Sequence, residues 1–415
     1  MKGQKKVYII GHKNPDTDSI CSAIAYADIK NRSTSGRMRY EARRAGQINE
    51  ETLYVLNRFK VKAPPYLGNV GTQVKDMDIR VSPDVNKHMP VKSAWTLMRE
   101  NGIVTLPIKD ENGVLEGIIT IGDIAQSLMC ADRFTLGEAH TQFFQIRDTL
   151  DGKIVVGDEN GYLKNGKILV GTLHPEQMKE FIEEGDLVIM GNREEDHLKA
   201  LEAKACCLVI CMDSQISEKV SEIARKQNVT IIVTPHDTFT VAKTINQSVS
   251  VEYLMKTENL VTFHTEDFTD NIQDVMVKNR HRAFPVISKH GKCVGTISRR
   301  NFLSMHKKKV ILVDHNEKSQ AVDNIDNAEI LEIIDHHKLG NIETMSPVMF
   351  RNLPVGCTGT IMYQMYNEAR LEITPQIAGL LCAAIISDTL MFRSPTCTIH
   401  DKMAAGALAL IAHID

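Results

Sequence analysis

Apolar positions along this chain gather into short continuous runs, and four of those runs stop at an acid or an imidazole. Val7-Tyr8-Ile9-Ile10 leads through Gly11 to His12, Asp16 and Asp18. Val310-Ile311-Leu312-Val313 ends at Asp314-His315-Asn316-Glu317, and Ile330-Leu331-Glu332-Ile333-Ile334 ends at Asp335-His336-His337. Ala383-Ala384-Ile385-Ile386 runs into Ser387-Asp388-Thr389. Strands buried on both faces of a parallel sheet read as continuous apolar runs, so the pattern predicts four parallel strands. Open α/β sheets bind ligands just beyond the carboxyl ends of their strands, which would collect these acids and imidazoles on one edge. After the first run, Ile20, Ala23, Ile24 and Ala27 share one face of a predicted helix, with Asp18 or Ser19 placed to cap it. Pro15 biases Asn14 away from helical dihedrals and keeps the intervening loop open. Glu41 to Phe59 is rich in helix formers, and Pro64-Pro65 closes the segment.

From about Val74 the pattern changes. Ser93 to Arg99 reads as an amphipathic helix with Ser93 as N-cap. Leu106-Pro107-Ile108-Lys109 is a strand that enters a turn at Gly113, Gly117 to Thr120 is the return strand, and Asp123 opens another helix. The same arrangement recurs around Phe284-Pro285-Val286-Ile287. Pro107 and Pro285, Gly113 and Gly291, Gly117 and Gly295, and Asp123 and Asn301 are each 178 residues apart. Four landmarks at one offset mark an internal repeat. Between the copies, about 140–247, lies an α/β segment with strand-like runs at Ile154, Leu187, Cys207 and Thr230 and a helical pattern from Ser217 to Gln227. It shows no catalytic constellation; Asp196-His197 and His236-Asp237 read as isolated surface pairs. Lys307-Lys308-Lys309 reads as a solvated linker, after which the first pattern returns.

Length and composition narrow the class. The 415 residues correspond to two to four domains at about 100–200 residues each. A hydrophobic share of 43%, a charged share of 24% and a net charge of −3 describe a globular protein without a general nucleic-acid surface. The apolar stretch after Lys6 is too short for a secretory signal, and Ile377 to Ile386 is about half a membrane span, so a cytoplasmic protein is expected. Nine cysteines without a C-x-x-C pair point to reduced, buried thiols.

The candidate chemistry is the set His12, Asp16, Asp18, Asp314, His336 and Asp388. Mixed imidazole and carboxylate ligands suit Mn²⁺, Co²⁺, Fe²⁺ or Zn²⁺ better than calcium. Six ligands exceed the need of one metal that also holds water and match two metals sharing a carboxylate. Such a pair, about 3.5–4 Å apart, clamps a phosphoryl group and activates water for in-line attack. The alternative is that the carboxylates cap helices and the histidines pack in the core. His315, Asp335 and His337 adjoin the set and are expected to orient its ligands, with His337 also able to donate to a substrate phosphate. Pro354 to Thr360 precedes a helix; its backbone N–H groups either face an anion or form an ordinary helix start.

His12-x-x-x-Asp16-x-Asp18, Val313-Asp314-His315-Asn316-Glu317, Asp335-His336-His337 and Ser387-Asp388-Thr389 resemble the Asp-His-His phosphoesterase superfamily. Within it, Val-Asp-His-Asn-Glu at 313–317, Pro-Val-Gly at 354–356 and the run from Ser387 to Thr396 resemble family II inorganic pyrophosphatases. The matching parts are about 1–70 and 308–415. The repeats, about 72–130 and 248–306, resemble cystathionine-β-synthase (CBS) domains, and 140–247 resembles a DRTGG domain without its naming motif, Cys211-Met212-Asp213-Ser214 standing near its place. The whole resembles the nucleotide-regulated, CBS-containing pyrophosphatases.

The resemblance implies an α/β fold: a phosphoesterase domain with a mainly parallel sheet, interrupted by the CBS pair and the DRTGG-like segment. It implies hydrolysis of pyrophosphate to two phosphates with Mn²⁺ or Co²⁺ in the site and Mg²⁺ accompanying the substrate. His12, Asp16 and Asp314 would hold one metal, and Asp18, Asp314, His336 and Asp388 the other, with Asp314 bridging and His337 facing the substrate. In the repeats, Thr120-x-x-Asp123 matches the CBS pattern whose acid binds a ribose. Ser298-x-x-Asn301 lacks the charge, so two unequal nucleotide sites are expected, regulated by AMP, ADP, ATP or diadenosine polyphosphates. A homodimer with no nucleic-acid or membrane partner is implied. The family carries a further domain with Lys and Arg residues that clamp pyrophosphate; no such basic clamp is visible before Asp415, so a truncated form or an incomplete substrate site is expected. Two competing readings are a related phosphodiesterase acting on short oligonucleotides or cyclic dinucleotides, and a non-catalytic adenine-nucleotide sensor.

Overall fold

In the computed structural model, which describes residues 5–34, 36, 38–129, 136–164 and 166–414, the chain begins with β1 (Lys5–Ile10), α1 (Thr17–Ser33), β2 (Met38–Arg43) and α2 (Glu50–Arg58). The helix-rich composition from Glu41 onward therefore begins as the end of a strand. The chain then passes through α3 (Val91–Asn101), β3 (Thr105–Lys109), β4 (Leu115–Thr120), α4 (Ile121–Met129), α5 (Phe143–Thr149), β5 (Lys153–Val156), β6 (Ile168–Val170) and α6 (Pro175–Phe181). It continues with β7 (Leu187–Met190), α7 (Glu194–Glu202), β8 (Cys207–Ile210), α8 (Glu218–Gln227), β9 (Thr230–Val233) and α9 (Thr238–Thr244). Next come α10 (Val251–Leu254), β10 (Phe263–His264), α11 (Thr269–Lys278), β11 (Phe284–Ile287) and β12 (Cys293–Ile297). It ends with β13 (Lys309–Val313), β14 (Glu329–Asp335), β15 (Met349–Asn352), α12 (Thr358–Glu368), α13 (Pro375–Asp388) and α14 (Ile399–Ala412). Two units result. One comprises Met1–Met77, Phe268–Asn271 and Ser304–Asp415; the other comprises Asp78–Asp267 and Ile272–Leu303.

The first unit is built on a five-stranded sheet in the order β15-β14-β13-β1-β2, with every pairing parallel. Alternate residues serve opposite faces, as the pleat requires. Val7, Ile9, Ile311, Val313 and Ile334 pack with the apolar sides of α1, α12, α13 and α14, while Ile10, Val310, Leu312 and Ile333 fill a smaller core on the other face. Three of the four apolar runs are strands of this sheet. The fourth, Ala383 to Ile386, is the last turn of α13. Thr374 caps that helix and Pro375 is its first residue, a start signal that favours helix over strand for the ten-residue apolar run.

The second unit holds another five-stranded sheet, β5-β9-β8-β7-β6, parallel except for β5 against β9. It also holds the two repeats, whose hairpins share one register. Leu106 faces Ile119 as Phe284 faces Ile297, and each ladder shifts one residue further on, after Ile108 and after Val286. Gly113 (φ 82°) and Gly291 (φ 76°) supply the left-handed turn residue in each copy. Ser93 is internal to α3, which Pro90 precedes. Asp196 and His197, expected at the surface, are 2% and 1% exposed: Asp196 pairs with Arg193 at 2.9 Å, and His197 Nε2 lies 2.8 Å from Gly191 O. The eight described cysteines are free; Cys206 and Cys397 are only partly buried, and Cys130 lies outside the described residues. Among the described residues no helix is long and apolar enough to cross a membrane.

Candidate metal centre

β14, β13 and β1 are neighbours and point the same way, so the residues at their carboxyl ends meet. His12 follows β1, Asp314 follows β13, and Asp335 closes β14 just before His336 and His337. Gly11 lets the first turn of α1 close over β1, since a Cβ there would stand 1.9 Å from Ser19 Oγ. Asp16, rather than Asp18 or Ser19, caps α1 by accepting the Ser19 N–H at 2.8 Å. Asp314 adopts left-handed backbone with φ 62°, a conformation that costs about 1–3 kcal/mol and concentrates at functional positions. Its N–H donates to Ile334 O at 2.9 Å, tying β13 to β14.

The two oxygens of Asp314 face different imidazoles. Oδ2 is 3.4 Å from His12 Nε2, and Oδ1 is 3.5 Å from His336 Nε2. His12 Nε2 is also 3.3 Å from Asp16 Oδ2, and His336 Nε2 is 3.5 Å from Asp388 Oδ2. The donor atoms of His12, Asp16 and Asp314 lie within 4.8 Å of one another, as do those of Asp18, Asp314, His336 and Asp388 and those of Asp314, His336 and His337. The structure thus brings together all six residues singled out from the sequence, with Asp314 common to every set.

Neighbouring groups aim these side chains. His336 Nδ1 donates to Val355 O at 3.1 Å, which turns Nε2 toward Asp314 and Asp388. Asp335 is fully buried and accepts the His337 ring Nδ1–H at 2.8 Å and the backbone N–H groups of His336 and His337 at 2.7 and 3.1 Å. Asn316 also donates to it. His337 is half exposed. His315 turns inward and donates Nδ1–H to Val313 O at 2.9 Å.

The segment 354–360 does present backbone N–H groups to an anion, and the anion is Asp18. Thr358 N–H donates to Asp18 Oδ2 at 2.6 Å and Gly359 N–H to Oδ1 at 2.9 Å, while the Ser22 hydroxyl donates to Oδ1 at 2.8 Å. The Thr358 hydroxyl donates to Asp314 Oδ1 at 3.0 Å. Thr358 and Gly359 were not recognised from the sequence as holding individual acids. Nor was Asp401, which accepts from Gly356 N–H and the Thr360 hydroxyl.

Charge at this edge is frustrated. Burial works against charging His12, but Asp16 and Asp314 overcome it and raise its pKa to about 10. His336 is raised in the same way, chiefly by Asp314 and Asp18 against its burial. Burial and the neighbouring Asp314 push Asp18 up, and burial with Asp18 pushes Asp388 up. Burial opposes ionisation of Asp314 too, but His12 and His336 hold it well below the usual carboxylate range. Buried Asp314 Oδ2 and His336 Nε2 have no hydrogen-bond partner, which costs about 1–3 kcal/mol per group. A divalent cation satisfies both atoms and neutralises the carboxylates, so the residues present fit a metal on each side of Asp314.

The proposed nucleotide residues lie in the second unit, and their motifs have matching geometry. Asp123 Oδ2 accepts Thr120 N–H at 2.9 Å and its hydroxyl at 2.5 Å; Asn301 Oδ1 accepts Ser298 N–H at 2.7 Å and its hydroxyl at 2.8 Å.

Comparison with known proteins agrees with this division. The CBS domain family matches residues 74–130 and 250–307, and the DRTGG domain family matches 145–248. The chain is 40% identical over 409 residues to the cobalt-dependent inorganic pyrophosphatase of Clostridium perfringens, covering 98% of this chain and 74% of that protein. It is 35% identical over 422 residues to a probable manganese-dependent inorganic pyrophosphatase of Thermotoga maritima, covering 100% of this chain and 75% of that protein. Among solved structures it resembles the CBS and DRTGG domains of the regulatory region of Clostridium perfringens pyrophosphatase complexed with its activator diadenosine tetraphosphate. That match has a TM-score of 0.52 and 32% identity, and covers 55% of this chain and 99% of the other. This chain belongs to the manganese- and cobalt-dependent inorganic pyrophosphatases that carry CBS and DRTGG domains.

Proposed function

We propose that this chain hydrolyses inorganic pyrophosphate to two phosphates at the edge formed by β1, β13 and β14, under control of adenine nucleotides bound to the CBS repeats. The observation that carries the reading is the disposition of Asp314, whose two oxygens face His12 at 3.4 Å and His336 at 3.5 Å. His12, Asp16 and Asp314 hold one Mn²⁺ or Co²⁺; Asp18, Asp314, His336 and Asp388 hold the second. Cations held there supply Lewis acidity, which polarises phosphoryl oxygens and acidifies water for in-line attack. Asp335 fixes the His337 ring through Nδ1, so that Nε2 is directed to a phosphoryl oxygen of the substrate, which arrives with Mg²⁺. AMP, ADP, ATP or a diadenosine polyphosphate binds with a ribose on Thr120 and Asp123 in the first repeat and on Ser298 and Asn301 in the second. The same family membership supports a cytoplasmic homodimer.

The test is phosphate release from pyrophosphate by the protein loaded with Mn²⁺ or Co²⁺, alongside a panel of short oligonucleotides and cyclic dinucleotides. We expect release from pyrophosphate alone, at least in a form that carries the basic clamp domain of the family. Turnover of a phosphodiester in its place would assign the site to the related phosphodiesterases. Nucleotide binding without turnover of any substrate in any form of the protein, the clamp-bearing one included, would make the chain a sensor.

A further inference from the structure

Asp401 sits in the first turn of α14 and is fully buried. Its four hydrogen bonds divide between two places. Two come from Thr398, whose N–H and hydroxyl each donate to Oδ2 at 2.7 Å and complete the cap of α14. The other two come from the start of α12: Gly356 N–H donates to Oδ2 at 2.9 Å and the Thr360 hydroxyl to Oδ1 at 2.6 Å. Burial opposes ionisation, but Thr360, Thr398 and Gly356 prevail and keep the carboxyl below its usual range. Between those two anchor points lie Thr358 and Gly359, whose N–H groups grip Asp18 at 2.6 and 2.9 Å, and the Thr358 hydroxyl, which reaches Asp314 at 3.0 Å. The loop has no slack at Gly356, where a Cβ would stand 2.8 Å from Thr389 Cγ2 and 3.0 Å from Asp401 Oδ2.

We infer that Asp401 is a positioning residue for the metal set containing Asp18: by pinning both ends of Gly356–Thr360 it fixes the donors that orient Asp18 and Asp314. The inference rests on the metal reading above. A carboxylate suits this task because it only accepts, and every group facing it donates. An amide of the same shape turns its NH₂ toward the Thr360 hydroxyl, which must then accept where it donated, and it removes the charge that strengthens the other three bonds. The loop then shifts, and the Asp18 side moves more than the His12–Asp16 side, which has no bond to the loop except through Asp314.

The experiment is Mn²⁺ binding to the full chain, followed by the electron paramagnetic resonance of free Mn²⁺, with Co²⁺ visible absorption reporting ligand geometry. Wild type is expected to take up two ions per chain. Asp401→Asn is expected to weaken one of the two by about 10–100-fold, the usual cost of disturbing groups that orient metal ligands, and to alter the Co²⁺ spectrum. Thr360→Val removes one anchor and should weaken the same ion less. Thr398→Ala removes a capping hydroxyl alone; it should lower the melting temperature and leave both ions bound. Unchanged affinity in a folded Asp401→Asn protein, or equal loss at both ions, would overturn the inference. If Asp401→Asn does not fold, unchanged affinity in Thr360→Val overturns it. A wild-type chain that binds no Mn²⁺ would instead overturn the metal reading and the inference with it.

Discussion

The two units of this protein each contain a five-stranded, mostly parallel sheet, and among the described residues only one of them gathers groups able to hold a metal at its carboxyl edge. In the first sheet β1, β13 and β14 end in His12, Asp314 and Asp335 with His336. In the second, β7, β8 and β9 end at Gly191, Cys211 and Thr234. At that second edge the Thr234 hydroxyl donates to Leu150 O at 2.6 Å, and the Thr234 and Cys211 N–H groups donate to Ile210 O and Met190 O. At the first edge, buried Asp314 Oδ2 and His336 Nε2 are left without partners. Among the described residues the groups able to converge on a metal all include Asp314. Architecture alone therefore assigns no function; the residues placed just past the strands do.

The comparison is broken most severely by removing what distinguishes the first edge. Asp314→Ala should abolish binding of both ions, because each set depends on that carboxylate, and metal analysis of the dialysed protein should fall from two ions per chain to none. Hydrolysis of pyrophosphate should fall with it, by about 10³-fold or more, since each ion's Lewis acidity is worth several kcal/mol. Retention of even one tightly bound ion would reject Asp314 as the shared ligand.

A carboxylate in the second unit should behave differently. Asp186, just before β7, is as buried as Asp314 but has both oxygens satisfied, by Lys167 N–H at 2.9 Å and Glu183 N–H at 2.8 Å. Asp186→Ala should cost about 1–3 kcal/mol of stability by leaving two donors unpaired, read as a lower denaturant midpoint. Metal content should remain at the wild-type value. A loss of metal would mean that burial and not placement separates the two carboxylates.

Much of the first sheet could be read from the sequence because its strands are buried on both faces and so appear as unbroken apolar runs. That same property concealed the nature of Ala383 to Ile386. A helix packed among other helices is as apolar as a buried strand, and periodicity cannot separate them; Thr374 and Pro375 carried the distinguishing signal. The six residues that converge around Asp314 were legible because an acid or imidazole at the end of an apolar run is conspicuous. Asp401 was not, since it looks like any capping acid, and its second role depends on Gly356 and Thr360, some forty residues earlier in the chain. Asp196-His197 was read as surface because local sequence does not reveal that the first turn of α7 packs inward.

The smallest effect concerns the nucleotide sites proposed for the repeats of the second unit. The two copies match in register and differ in the residue that closes the motif, Asp123 in the first and Asn301 in the second. Asp123 Oδ1 pairs with Lys256 at 3.0 Å, while Asn301 Nδ2 donates to Asp78 O at 2.6 Å; residues 78 and 256 are themselves one repeat length apart. Burial opposes ionisation of Asp123, but Thr120 and Lys256 prevail and hold its carboxyl below the usual range, so a ribose bound there would meet an anion. Asp123→Asn gives the first repeat the second repeat's residue at this one position. Because the lysine is largely exposed, stability should change by less than about 1 kcal/mol. A charged acceptor contributes about 1 kcal/mol more than a neutral one, so AMP affinity at the first repeat should fall about fivefold. Calorimetry of AMP binding should then resolve two unequal sites in wild type, with the first weakened about fivefold and the second unchanged in the variant. Metal content should not change. Equal AMP affinities before and after the substitution would remove Asp123 from the nucleotide site and leave the Thr120–Asp123 pair as a helix cap alone.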